Sequence, residues 1–345
     1  MFLASSAPLA ADYLEVDRKA PIRKAADSDS PRIGDVSPGD HLALLDDGQQ
    51  QNGYYRVQFG SGRGWIYRTW VRRHHGDSPS AGSGPGVVAS AGLALGGGAF
   101  ALACQLPFLE FAQAGLDVDA SCPAEGTGSA GSQAQNRRKN EFCAKGPIVP
   151  LSFANFTTLQ AETDKLNFPH GHNLPEDRSP LRRMATIGGR EVGEGTLVRI
   201  AAFVMKAHHS NVSKGETVNC KLTGKDNNDV HTVLMEKVDE DRECDSLTAE
   251  ITPHFRPWSW EPQYLLDLSR PMRFTGHLFY DAAHRPCRNG KGSPKRAASW
   301  EVHPVYGIDV CESKTLAQCP ANDDSKWTPL QVWHNLEEEH DEDEG

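Results

Sequence analysis

The run Leu197–Ala207, LVRIAAFVMKA, is followed by four more of the same character: Asp229–Glu236 (DVHTVLME), Leu247–His254 (LTAEITPH), Met272–Asp281 (MRFTGHLFYD) and Ala298–Cys311 (ASWEVHPVYGIDVC). Each is rich in β-branched and aromatic residues and bounded by turn formers, the pattern of a strand. Between the third and fourth, Trp260–Leu268 sets Tyr264, Leu265 and Leu268 at helical spacing. A long first strand suits a sheet that must curve round on itself. Gly276, inside the fourth run, marks a bend or the close approach of another backbone.

Five strands with a helix between the third and fourth are the OB arrangement, so residues 195–320 are expected to form an OB-like barrel. A second, smaller barrel is expected over residues 12–74, where short runs alternate with turns: Tyr13–Val16, Ser37-Pro38-Gly39-Asp40, His41–Leu45, Tyr54–Phe59, Gly62-Arg63-Gly64 and Trp65–Val71. The chain is therefore expected to be mainly β.

Several of these residues resemble the bacterial-type SH3 family. Ala20-Pro21-Ile22-Arg23 stands where that family has its first strand, although the usual Asn-Val-Arg is here Pro21-Ile22-Arg23. Pro38-Gly39-Asp40 is similar to its central turn, and Tyr54-Tyr55-Arg56-Val57 followed by Gly62-Arg63-Gly64-Trp65-Ile66-Tyr67 to its most specific stretch. The resemblance implies a module that recognises cell-wall peptides or envelope proteins. Tyr54, Tyr55, Tyr67 and Trp70 become candidate ligand contacts, with Trp65 expected in the barrel core. The later block resembles bacterial extracytoplasmic proteins whose OB-like cores carry three strand motifs. Here these are Asp229-Val230-His231, Glu250-Ile251-Thr252-Pro253-His254 and Trp300-Glu301-Val302-His303-Pro304. That likeness implies a fold and no activity.

The remainder is organised around these barrels. Residues 1–11 suit a truncated signal segment, with small residues at Ala7, Ala10 and Ala11 but no basic start. Residues 75–101 are a Gly, Ser and Ala linker; an uncharged stretch runs from Ser78 to Leu109 but is broken by Pro85 and Pro107, so no transmembrane span is expected. Residues 102–194 are expected to form a strap with short helices, including Gln133–Cys143, which would set Lys139 and Cys143 one turn apart. Phe153–Leu159 is expected as strand or loop. Residues 321–345, which end in a run of like charges, are expected to form an acidic disordered tail.

Eight cysteines, Cys104, Cys122, Cys143, Cys220, Cys244, Cys287, Cys311 and Cys319, follow the first barrel without any close-spaced pair of the zinc-knuckle kind. Disulfides are expected, with Cys220–Cys244 and Cys287–Cys311 as the preferred pairs, and with them a periplasmic or secreted location. A net charge of −10 opposes attraction to a phosphate backbone, so nucleic acid is disfavoured as a partner. No glycine motif has the spacing of a dinucleotide or phosphate loop, and no cofactor is expected.

His231, Glu250, Glu301 and His303 lie on three different expected strands, so barrel closure can bring them together. They are candidates for the site of a metal-dependent, nuclease-like hydrolase. Histidines fixed by hydrogen bonds in the barrel wall are the competing reading, and no metal site is assigned. Arg256 and Trp258 are further candidate ligand contacts, and Asp226-Asn227-Asn228-Asp229 is either a cation loop or a plain turn. Arg285, Arg288, Lys291, Lys295 and Arg296 form a basic loop. A non-catalytic envelope or secreted binding protein is the favoured function.

Overall fold

The computed structural model describes residues 13–27, 30–59, 62–74, 99–100, 104, 117–237, 240–266 and 269–334. The expected signal segment 1–11, most of the linker 75–101, and residues 335–345 of the expected tail lie outside them; the first part of that tail is ordered instead, because Trp327 and Leu330 are buried and Trp327–Pro329 pairs as a strand. The protein is mainly β, and its described residues divide into two compact units, one up to His74 and the other from Ala99 onward.

The first unit contains β1 (Tyr13–Val16), β2 (Ala20–Arg23), β3 (Arg32–Val36), β4 (His41–Ala43), β5 (Gln50–Gln51), β6 (Tyr54–Phe59), β7 (Gly62–Tyr67) and β8 (Val71–His74). They form two sheets, ordered β4-β1-β8 and β3-β2-β7-β6-β5. The turn before β4 has the expected chemistry: Gly39 takes φ +83°, a region closed to most side chains, and Asp40 N–H donates to Ser37 O at 3.0 Å. Alternating residues fill the core, among them Leu14, Val16, Ile22, Tyr55, Val57, Ile66 and Val71. Trp65 is not one of them. Because side chains alternate along β7, the burial of Ile66 turns Trp65 to the other face, where it is half-buried beneath the Arg56 guanidinium.

The second unit opens with α1 (Asp117–Ser121), α2 (Ala130–Lys139), β9 (Val149–Pro150) and α3 (Phe153–Lys165), then the hairpin β10 (Ala185–Ile187) and β11 (Arg190–Val192). Next come β12 (Leu197–His209), β13 (Val230–Met235), β14 (Leu247–Ile251), α4 (Pro262–Leu266), β15 (Met272–Tyr280), β16 (Trp300–Cys311) and β17 (Trp327–Pro329). Strands β12, β13, β14, β16 and β15 close into a barrel: β12 pairs with both β13 and β15, and β14 runs parallel to β16. Val198, Ile200, Leu234, Ala249, Phe274, Leu278 and Val302 are buried there. At Gly276 a side chain would collide with the Pro304 carbonyl, so the close approach expected from this glycine is met by β16.

Strand β16 is buried along almost its whole length, because its outer face is covered as well. Helix α3 supplies part of that cover: Trp300 Nε1 donates to Thr163 Oγ1 at 2.9 Å, and Ser299 N–H to Gln160 Oε1 at 2.8 Å. A helix replaces the strand or loop expected here for two local reasons. Phe156, Leu159, Gln160 and Thr163 are buried at helical spacing, and Ser152 with Asn155 forms a reciprocal N-terminal capping box. Helix α2 begins on the Ser129 cap and ends at Asn140, so Cys143 lies beyond it rather than one turn from Lys139.

All eight cysteines are bridged, as Cys104–Cys143, Cys122–Cys220, Cys244–Cys287 and Cys311–Cys319. The expected pairs Cys220–Cys244 and Cys287–Cys311 are therefore replaced. Cys220 lies against Cys122, which directly follows α1, and Cys244 against Cys287 in the loop after β15, so the bridges tie loops to their spatial neighbours rather than across β13. Cys220 instead binds α1 to the loop before β13. Four bridges fit an oxidising compartment. Among the described residues, no helix is long and apolar enough to cross a membrane.

Candidate functional site

Strand registry brings the candidate residues of the barrel together. His231 on β13 lies opposite Glu250 on β14. The parallel register Thr248↔Glu301 and Ala249↔Val302 then carries Glu250 alongside His303 on β16. Glu301 and His303, two positions apart on one strand, fall on the same face. The result is a chain of contacts. His303 Nδ1 lies 2.7 Å from Glu250 Oε2 and 3.2 Å from Glu301 Oε1, and His231 Nε2 lies 3.5 Å from Glu250 Oε1.

Residues outside the expected set complete the cluster. Lys139, at the end of α2, places Nζ 3.2 Å from Glu250 Oε2. Asp229, one residue before β13, places Oδ2 3.6 Å from His303 Nε2, and its Oδ1 accepts from Asn219 Nδ2 at 2.8 Å. Glu216, from the loop between β12 and β13, has Oε1 3.8 Å from His231 Nε2 and accepts there from Ser210 Oγ and Asn211 Nδ2. Behind Glu301, Arg296 donates to Glu301 Oε2 and Asp281 Oδ2, both at 2.7 Å.

Access is graded across the cluster. His303 and Glu301 are wholly buried and Glu250 nearly so, whereas the His231 side chain keeps 24% of its exposure. His231 and Glu216 therefore stand at the mouth, with His303 and Glu301 behind them.

The titration shifts follow from these distances. Burial pushes the His303 imidazolium towards deprotonation, but Glu250 and Glu301 outweigh both this and Lys139, raising its pKa to about 9. Burial also pushes Glu250 up, yet His231, Lys139 and His303 together hold it well below the ordinary carboxylate range. Asp229 is raised, by burial first and by Glu216 second, against the pull of His303. His208, whose ring centroid is 5.8 Å from that of His231, is lowered by burial and by its neighbouring histidines.

The other candidates fare differently. Arg256 is buried, with its donors committed to Glu261 Oε1, Asn228 O and Lys225 O, so it gives way as a ligand contact and becomes an internal tie. The side chain of Trp258 lies outside the described residues. Asn227 and Asn228 close their own turn by donating to Thr223 O, Leu222 O and Gly224 O, the plain-turn reading of that segment; Asp229 alone enters the cluster. In the basic loop, Arg285, Arg288, Lys291 and Lys295 are exposed, but Arg296 is wholly buried.

In the first unit, Tyr54, Tyr67 and Trp70 form an aromatic row, with centroids 4.9 Å apart for the first pair and 5.8 Å for the second. Tyr67 and Trp70 are half-buried, while Tyr54 and Tyr55 are buried, Tyr55 in the core.

Sequence reasoning missed Glu216, Asp281 and the inward role of Lys139 and Arg296. Only Asp229 carried a readable signal, since it shares a face with His231 at the two-residue period of a strand. Compared with known proteins, the chain matches no family model and no curated sequence.

Proposed function

We propose that this is a non-catalytic binding protein of the bacterial envelope or of secretion. In this reading an SH3-like module docks to a cell-wall peptide or an envelope protein, and an OB-like barrel takes a second ligand at its polar end. One observation carries the binding role of the barrel. Four residues selected for chemistry do meet, yet His303 and Glu301 are shut behind His231 and tied to Glu250 and Arg296. A general acid and base must reach the proton they transfer. The buried pair is instead a rigid backing for groups at the mouth. The four disulfides support the compartment, and the order β12-β13-β14-β16-β15 supports the OB-like assignment.

For the first module, the half-buried Tyr67 and Trp70 present the aromatic surface. The test is co-sedimentation of the full chain with purified peptidoglycan sacculi. Retention is expected, and the double variant Tyr67→Ala, Trp70→Ala should lose most of it while keeping its circular dichroism. Equal retention of a folded variant would remove the docking role.

The convergence itself favours a second reading, a metal-dependent hydrolase using His231, Glu250, Glu301 and His303. Turnover of bis-(p-nitrophenyl) phosphate with added divalent metal, abolished by His231→Ala, would put that reading first.

A further inference from the structure

The loop between β12 and β13 and the wall formed by β13 and β16 leave four buried or half-buried ligand atoms unsatisfied. Asp229 Oδ2, His303 Nε2, His231 Nε2 and Glu216 Oε2 have no hydrogen-bond partner among the described residues. In each of the two carboxylates the other oxygen is satisfied: Asp229 Oδ1 by Asn219, and Glu216 Oε1 by Ser210 and Asn211. The other ring nitrogen of His303 is held by Glu250 and Glu301. Each carboxylate is thus fixed by the protein at one oxygen, and His303 at one nitrogen.

The separations decide what belongs between these atoms. His231 Nε2 and Glu216 Oε1 are 3.8 Å apart, too far for an N–H···O bond. Two ligands on one tetrahedral zinc ion, each bound at about 2.0–2.2 Å, stand about 3.3–3.6 Å from one another. Glu216, Asp229 and His231 each offer an atom within 4.8 Å of the others, whereas His303 falls in a separate set with Asp229 and Glu250.

Charge points the same way. Glu301 is neutralised by Arg296 and Glu250 by Lys139. Glu216 and Asp229 accept from neutral donors, and among the described residues no Lys or Arg forms an ion pair with either; Lys139 acts on both only from further off, and the His303 imidazolium lies behind Asp229. An imidazole nitrogen beside two carboxylates is a donor set for zinc rather than for calcium, which takes oxygen.

We propose that Glu216, Asp229 and His231 bind one divalent cation of the zinc class at the polar end of the barrel, with His303 behind Asp229. The inference rests on reading that end as a binding site, and names its ligand.

The test uses the full oxidised chain, stripped with chelator and titrated with zinc chloride in a calorimeter, with cobalt(II) as a spectroscopic probe. One zinc per chain and visible cobalt absorption of tetrahedral intensity are expected, with no comparable uptake of calcium. His231→Ala and Glu216→Gln, both at the half-exposed mouth where folding is least at risk, should each weaken zinc at least about tenfold. His208→Ala, outside the set, should leave it unchanged. Stoichiometric zinc that is indifferent to His231→Ala and Glu216→Gln would overturn the assignment. So would no uptake by a protein with native circular dichroism, since the cluster would then be a network of ion pairs only. The sacculus assay, run on the same stripped protein, reports separately on docking by the first module, so either result can fail without the other.

Discussion

At the scale of single residues, the barrel's polar end depends on side chains whose charge is met from within. Arg296 is the clearest case: fully buried, it joins Asp281 to Glu301. Removing one partner of a buried pair strands the remaining charges, so Arg296→Met should destabilise the second unit by about 3–5 kcal/mol in urea denaturation. Adding Asp281→Asn and Glu301→Gln should return part of that loss, because no carboxylate is then left unpaired. His277 gives a pH-dependent counterpart. Its Nδ1–H donates to the His303 carbonyl at 3.0 Å, and burial lowers its pKa from 6.5 to about 3. A depressed folded-state pKa stabilises above the unfolded value, and that contribution is lost as pH falls through the folded one. Stability should therefore decline from about pH 6.5 towards pH 3, by roughly 2 kcal/mol between pH 6.5 and 5 from this residue. Denaturation midpoints at those two pH values should differ less in His277→Gln than in the native chain. An equal difference would assign the acid sensitivity to other groups.

At the scale of elements, what could be read in advance divides according to where the information resides. The five barrel strands were legible because hydrophobic alternation is local, and each observed strand lies within or within two residues of its expected run. His231, Glu250, Glu301 and His303 were legible as a group because closing the barrel aligns those runs. Helix α3 was misread: the stretch considered stopped at Leu159, before Gln160 and Thr163 complete its buried stripe. Ser152→Ala should remove its cap and cost about 1 kcal/mol of stability, measurable by denaturant titration. Arg296 was misread because a basic residue among Gly, Ser and Pro looks exposed. Its partners lie on β16 and just beyond the end of β15, and nothing local announces them. Disulfide pairing was illegible for the same reason, since it depends on how α1 and the loops are laid over the barrel.

At the scale of the whole molecule, the two units rest on different kinds of support. The first has its own apolar core and no cysteine, whereas every disulfide lies in the second. Calorimetry with and without dithiothreitol should show one transition that reductant leaves in place and another that it shifts down; a uniform shift would mean that the units unfold as one. The Cys122–Cys220 bridge has a further bearing. It fastens α1 to the very loop that delivers Glu216 and Asn219 beside Asp229. The barrel's strands meet through backbone bonds, whereas this corner of the cluster is held by hydrogen bonds and by sulfur together. A chain kept reduced would retain the first and lose the second, so the tightness of that corner would answer to the redox potential around it.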